Sequence, residues 1–173
     1  MTFLEGAARR EGAMPLTTVT AFDSTLHKTN TWLKAIMEEL GWGDYQRAYR
    51  ALRAVLHSLR DRLPMQEAVD FGAQLPMLVR GFYYEGWRPG QQAASGRNGA
   101  SFLEAIAGDF RDEPDVDVQR VARAVFRVIS EHVTPGEVGD VRQSLPKDIR
   151  ALWPSSLAVA EDGLSTDRQR VDR

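Results

Sequence analysis

The chain has no cysteine, and its 22 basic and 24 acidic residues leave a formal net charge of only -2. Without thiols there are no disulfides, no thiolate metal ligands and no cysteine nucleophile, a composition that suits the cytoplasm. Without an excess of either sign, no broad field draws the protein to nucleic acid or to a membrane surface, and DNA binding would need a local basic patch. No apolar run approaches the roughly eighteen residues of a membrane span. Met1 to Met14 carries Glu5, Arg9, Arg10 and Glu11 where a secretory leader would need an apolar stretch. What the chain does have is 43% hydrophobic residues over 173 positions, enough to close a core.

It also repeats itself. Gln74-Leu75-Pro76-Met77-Leu78-Val79-Arg80-Gly81-Phe82-Tyr83 returns as Ser144-Leu145-Pro146-Lys147-Asp148-Ile149-Arg150-Ala151-Leu152-Trp153. Extended without a gap, this register pairs residues 28–84 with 98–154 and matches Leu33 with Leu103, Ile36 with Ile106, Arg53 with Arg123, Val55 with Val125 and Glu67 with Glu137. Trp32 meets Phe102 and Tyr83 meets Trp153 in the same register. Two halves of about seventy residues are each marginal alone and are expected to share one core. The expected fold is therefore all-α, a duplicated helical repeat with about four helices per copy forming one pseudo-twofold helical bundle. The expected divisions are a flexible N-terminal extension (1–22), repeat 1 (23–84), a glycine-rich linker (85–99), repeat 2 (100–154) and a disordered C-terminal tail (155–173).

Helical periodicity supports this division. Leu26, Leu33, Ile36, Met37 and Leu40 recur on one face after a cap at Asp23 or Ser24, and Gly41 stands where a left-handed terminating residue belongs. Asp44 is placed to cap a longer helix whose stripe is Ala48, Leu52, Val55, Leu56, Leu59 and Leu63, with Arg50, Arg53, Arg60, Asp61 and Arg62 expected outward. Thr134-Pro135-Gly136-Glu137 and Ser101-Phe102-Leu103-Glu104 read as capping boxes, so Glu137 and its counterpart Glu67 are expected to be helix starters. Pro76 and Pro146 each break a helix and restart it, with Leu75 or Leu145 plugging the corner. Arg80 and Arg150 fall among apolar residues and are expected to bond carboxylates or helix-end carbonyls.

Catalytic constellations are sparse. His57 and Asp61 share a helix face at a spacing that suits two metal ligands, but no further ligand lies nearby, so neither metal nor cofactor is expected. Asp112, Glu113, Asp115 and Asp117 lack the pattern of a calcium loop and read as a solvated acidic loop. Arg47, Arg50, Arg53, Arg60 and Arg62 could line one helix as a nucleic-acid surface, but the acids interspersed with them favour an ordinary solvated face. The segment that stands out is Tyr83-Tyr84-Glu85-Gly86-Trp87-Arg88, rich in residue types that dominate protein interfaces. Tyr84, Glu85, Trp87 and Arg88 are the candidate partner-binding residues, with packing of the seam between the repeats as the competing role.

Residues 50–64, ending Arg-Asp-Arg-Leu-Pro, and residues 73–87, containing Gln-Leu-Pro, resemble the bacterial domain-of-unknown-function family DUF 2267 over roughly residues 24–154. The resemblance implies an all-helical, duplicated cytoplasmic protein and carries no established activity or catalytic residue. The sequence thus favours a non-enzymatic helical module that binds a protein partner or self-associates, with neither nucleic acid nor membrane as partner. The alternative is a small-molecule ligand-sensing domain with a pocket at the seam between the repeats. A hydrolase using His57 and Asp61 would require both side chains to face a cleft.

Overall fold

The structure, a computed structural model, describes residues 18–90 and 96–154, and every regular element among them is helical. The helices are α1 (Thr20–Leu40), α2 (Tyr45–Arg60), α3 (Met65–Gln74), α4 (Met77–Tyr84), α5 (Gly99–Gly108), α6 (Val118–His132), α7 (Pro135–Ser144) and α8 (Lys147–Arg150). None of them is long and apolar enough to cross a membrane. The 1–17 part of the expected extension, the 91–95 part of the linker and the expected 155–173 tail lie outside the described residues.

One hydrophobic cluster runs through both halves of the chain. The α2 stripe Ala48, Leu52, Val55, Leu56, Leu59 and Leu63 is buried throughout, as are Val121, Ala122, Val125, Phe126, Ile129 and Val133 of α6 and its end. These two helices touch each other; α1 packs on α2 and also on α6, while α5 packs on α6 and also on α2. α3 faces α7 across the molecule. An amphipathic helix of this length gains most of its stability from burying such a stripe.

The terminators follow local chemistry. Gly41 closes α1 with a φ of 66°, a left-handed conformation that a side chain would strain. Asp44 accepts a hydrogen bond from the Gln46 amide at the start of α2, and Asp117 accepts from the Arg120 amide at the start of α6. At the α3–α4 corner Pro76 occupies the N-cap and Leu75 is 1% exposed; at the α7–α8 corner Pro146 takes the same place and Leu145 is 3% exposed. Arg80 donates to the carbonyls of Ala73 and Leu75, and Arg150 to those of Gln143 and Leu145, so each guanidinium closes the carbonyl end of the helix before it.

Several expectations are corrected. α1 starts at Thr20 with Val19 as N-cap, so Asp23 lies inside the first turn instead of capping it, and residues 20–22 of the expected flexible extension are helical. α5 starts at Gly99 inside the expected linker, capped by Asn98, which accepts from the Ser101 amide; Ser101 is therefore not the cap. Thr134 makes no capping hydrogen bond, and one carboxyl oxygen of Glu137, like one of Glu67, is buried without a partner. α7 instead starts on the fixed φ of Pro135. Arg60 and Arg62, expected outward, are 5% and 2% exposed, because Arg60 bonds the carbonyls at the end of α4 and Arg62, just past α2, folds against α5.

Candidate functional site

The segment at the end of α4 is anchored from α2. Arg60 donates to the carbonyls of Tyr83 and Glu85 and to the Asp61 carboxylate, and the His57 imidazole lies 2.6 Å from the Phe82 carbonyl. Two positions along α2, His57 and Arg60, thus meet the carbonyl end of α4, where the helix dipole favours cations and hydrogen-bond donors. Burial pushes the His57 pKa below its ordinary value, which keeps the ring neutral and suits an Nε2–H donating to Phe82. His57 and Asp61 are both committed to these contacts, and neither lines the clefts described below. Among the described residues no group of three or more His, Cys, Asp or Glu side chains is arranged to hold a metal ion.

The four candidate partner-binding residues are separated by this anchoring. Glu85 is tied to Arg53 at 2.9 Å, and the guanidinium holds its carboxyl below the usual carboxylate range. Tyr84 is half-buried between Tyr83 and Trp87, with ring centroids 4.9 Å and 5.4 Å away, and its hydroxyl donates to the Val69 carbonyl. Trp87 is half-buried against the core cluster, and Arg88 is exposed. Tyr83, by contrast, is fully buried and donates to the Ala68 carbonyl. On the adjoining face of α3, Met65 and Val69 are 60% and 42% exposed. They stand one turn apart and therefore share a face.

The arginines of α2 are spoken for as well. Arg47 and Arg50 bind Glu113, Arg50 also binds Asp112 at 2.6 Å, and Arg50 lies over the Phe110 ring. The acidic loop is thus a countercharge to α2 instead of a purely solvated segment. A groove of about 540 Å³ runs beside this network, lined by both signs of charge. A smaller one of about 340 Å³ lies between Glu39 and the Arg120, Arg123 and Arg127 row of α6.

A third cleft, of about 580 Å³, opens where α1, the α3–α4 corner and the end of α6 meet. Trp32 forms its floor and stacks on His132 at 5.2 Å with a 19° interplanar angle. His27, Lys28 and Arg80 stand around it. Sequence reasoning missed this site because a helix-by-helix reading separates residues 27, 80 and 132; the signal available was the seventy-residue register, which sets Trp32 and His132 against Phe102 and Arg62. That second pair also meets, with the Arg62 guanidinium 5.4 Å over the Phe102 ring.

No curated protein matches the chain. The model of one family, described as uncharacterized conserved protein (DUF2267), matches residues 29–152, a stretch that takes in α2 to α8 and most of α1. With most of its length inside that match, the chain belongs to the DUF2267 family.

Proposed function

We propose that the protein is a non-enzymatic helical interaction module, built from two copies of one four-helix unit about an approximate twofold axis, that docks a partner protein through the surface at the end of α4. The carrying observation is the apolar strip of exposed Met65 and Val69 beside half-buried Tyr84 and Trp87, with exposed Arg88 at its edge. Aromatic rings held in place by the core yet partly exposed, next to a planar cation, supply contact area at low entropic cost. Glu85 belongs to the scaffold of this surface through Arg53. The absence of cysteine suits work in the cytoplasm.

The duplication is supported by reciprocity. α1 reaches across to α6 as α5 reaches across to α2, and α2 meets α6 as α3 meets α7. Arg80 and Arg150, seventy positions apart, bond carbonyls that are themselves seventy positions apart. If the copies diverged by use, the surface would be retained in the first copy, since Pro154-Ser155-Ser156 has lost the aromatic and charged residues that follow Tyr83.

The test is a Val69→Glu/Arg88→Glu variant, whose two sites are exposed and whose fold is checked by thermal unfolding. Sedimentation over a concentration range and cross-linking in cells should show loss of self-association or of a specific partner that the parent engages. A folded variant that keeps every association of the parent rules the surface out.

A further inference from the structure

We infer that the cleft between α1, the α3–α4 corner and the end of α6 binds a small organic anion carrying a carboxylate or phosphate group. Four side chains of the basic types, His27, Lys28, Arg80 and His132, line it and no carboxylate does. Five other arginines meet carboxylates, Arg47 and Arg50 with Glu113, Arg53 with Glu85, Arg60 with Asp61 and Arg127 with Glu39. Lys28 and Arg80 form no ion pair among the described residues, and Arg80 spends one amino group on the Ala73 and Leu75 carbonyls. Cations gathered on a concave surface reinforce one another's potential and raise the local concentration of anions. The volume, about 580 Å³, matches a metabolite-sized ligand, and Trp32, Leu75 and Pro76 give its organic part an apolar wall.

The other half of the chain shows how such a place is closed from within. There Arg62 lies over Phe102 and is almost fully buried, and the Asp148 carboxylate accepts from the Gly99 amide at the start of α5. In the seventy-residue register Asp148 corresponds to Leu78, so the first half lacks the carboxylate that the second supplies. This comparison rests on the proposed duplication; the charge argument stands without it.

The probes are phenyl phosphate and benzoate, with benzyl alcohol as the uncharged control, titrated into the full chain and followed by calorimetry and amide chemical shifts. Saturable binding of either anion, perturbing the amides of Gln74, Leu75, Met77, Arg80 and His132, supports the site. Lys28→Glu, at an exposed position, should weaken it about tenfold. Lys34→Glu, two turns along the same helix and paired with Glu38, should leave it unchanged. His27→Glu gives a second reading should Lys28→Glu disturb the fold. The Val69→Glu/Arg88→Glu variant should bind like the parent, so this inference and the partner surface fail separately. No saturable binding of either anion, equal binding of benzyl alcohol, or equal weakening by Lys34→Glu overturns the inference.

Discussion

Arg60 and Arg62 are the residues whose environment departs most from their type. A guanidinium withdrawn from water is costly unless its donors are bonded. Arg60 meets that demand with two helix-end carbonyls and Asp61, so Arg60→Ala should destabilise by about 1.5–3 kcal/mol in chemical denaturation, the range for hydrogen bonds to charged groups. Arg62 has the Ser58 carbonyl, the Ser101 hydroxyl and the Phe102 ring, and its Nε is unbonded; burial draws its pKa down. Glu67 and Glu137, on the facing helices α3 and α7, are the acidic counterpart. Burial and the charges of Asp70 and Asp140 raise both carboxyl pKa values, with Glu137 adding to the effect on Glu67. A carboxyl whose pKa is raised by folding binds more protons folded than unfolded between the two values, so its contribution to stability falls as pH rises through that window. Glu67→Gln/Glu137→Gln should therefore be more stable than the parent at pH 7 and lose that advantage towards pH 4, as read from denaturation midpoints. An advantage that does not vary with pH would show that ionisation is not the cause.

Among the elements, the Leu-Pro corners join sequence to packing most directly. Proline forces the restart, which turns the preceding leucine inward, and the arginine four residues after the proline closes the carbonyls left open. Leu75→Ala or Leu145→Ala should each cost about 2–5 kcal/mol in unfolding free energy, since both side chains are buried. A loss below about 0.5 kcal/mol would place the corner at the surface. Gly72 on α3 marks a second close approach, since a Cβ there would stand 2.2 Å from the Tyr84 hydroxyl. Gly72→Ala should push the Tyr84 ring off Val69 and away from Trp87, at a cost of about 1–3 kcal/mol and with a change in tryptophan emission. The stripes of α2 and α6 were legible because each helix repeats its apolar residues at helical spacing. The starts of α1 and α5 were not: Val19 offers no capping side chain, and Asn98 was hidden among glycines that read as a linker.

At the scale of the molecule, all eight helices surround one core, with α2 and α6 bridging the halves. Halves that share a core should unfold together, so a single two-state transition is expected by calorimetry, and Leu145→Ala should lower the melting temperature of the whole protein. Two separate transitions would show that the halves are independent. The sequence by itself determined the helical class, the apolar stripes, the proline corners and the membership signalled by its Arg-Asp-Arg-Leu-Pro and Gln-Leu-Pro segments. All of these are local: periodicity, caps and backbone restrictions act within a few residues. It also marked Tyr84 to Arg88 as unusual. Only the tertiary structure decided that Glu85 serves Arg53, that the acidic loop answers Arg47 and Arg50, that Arg60 and Arg62 are buried, and that His27, Lys28, Arg80 and His132 gather round one cleft. Burial and charge pairing depend on which helices meet across tens of residues, and a charged side chain reads as exposed until its distant partners are in place.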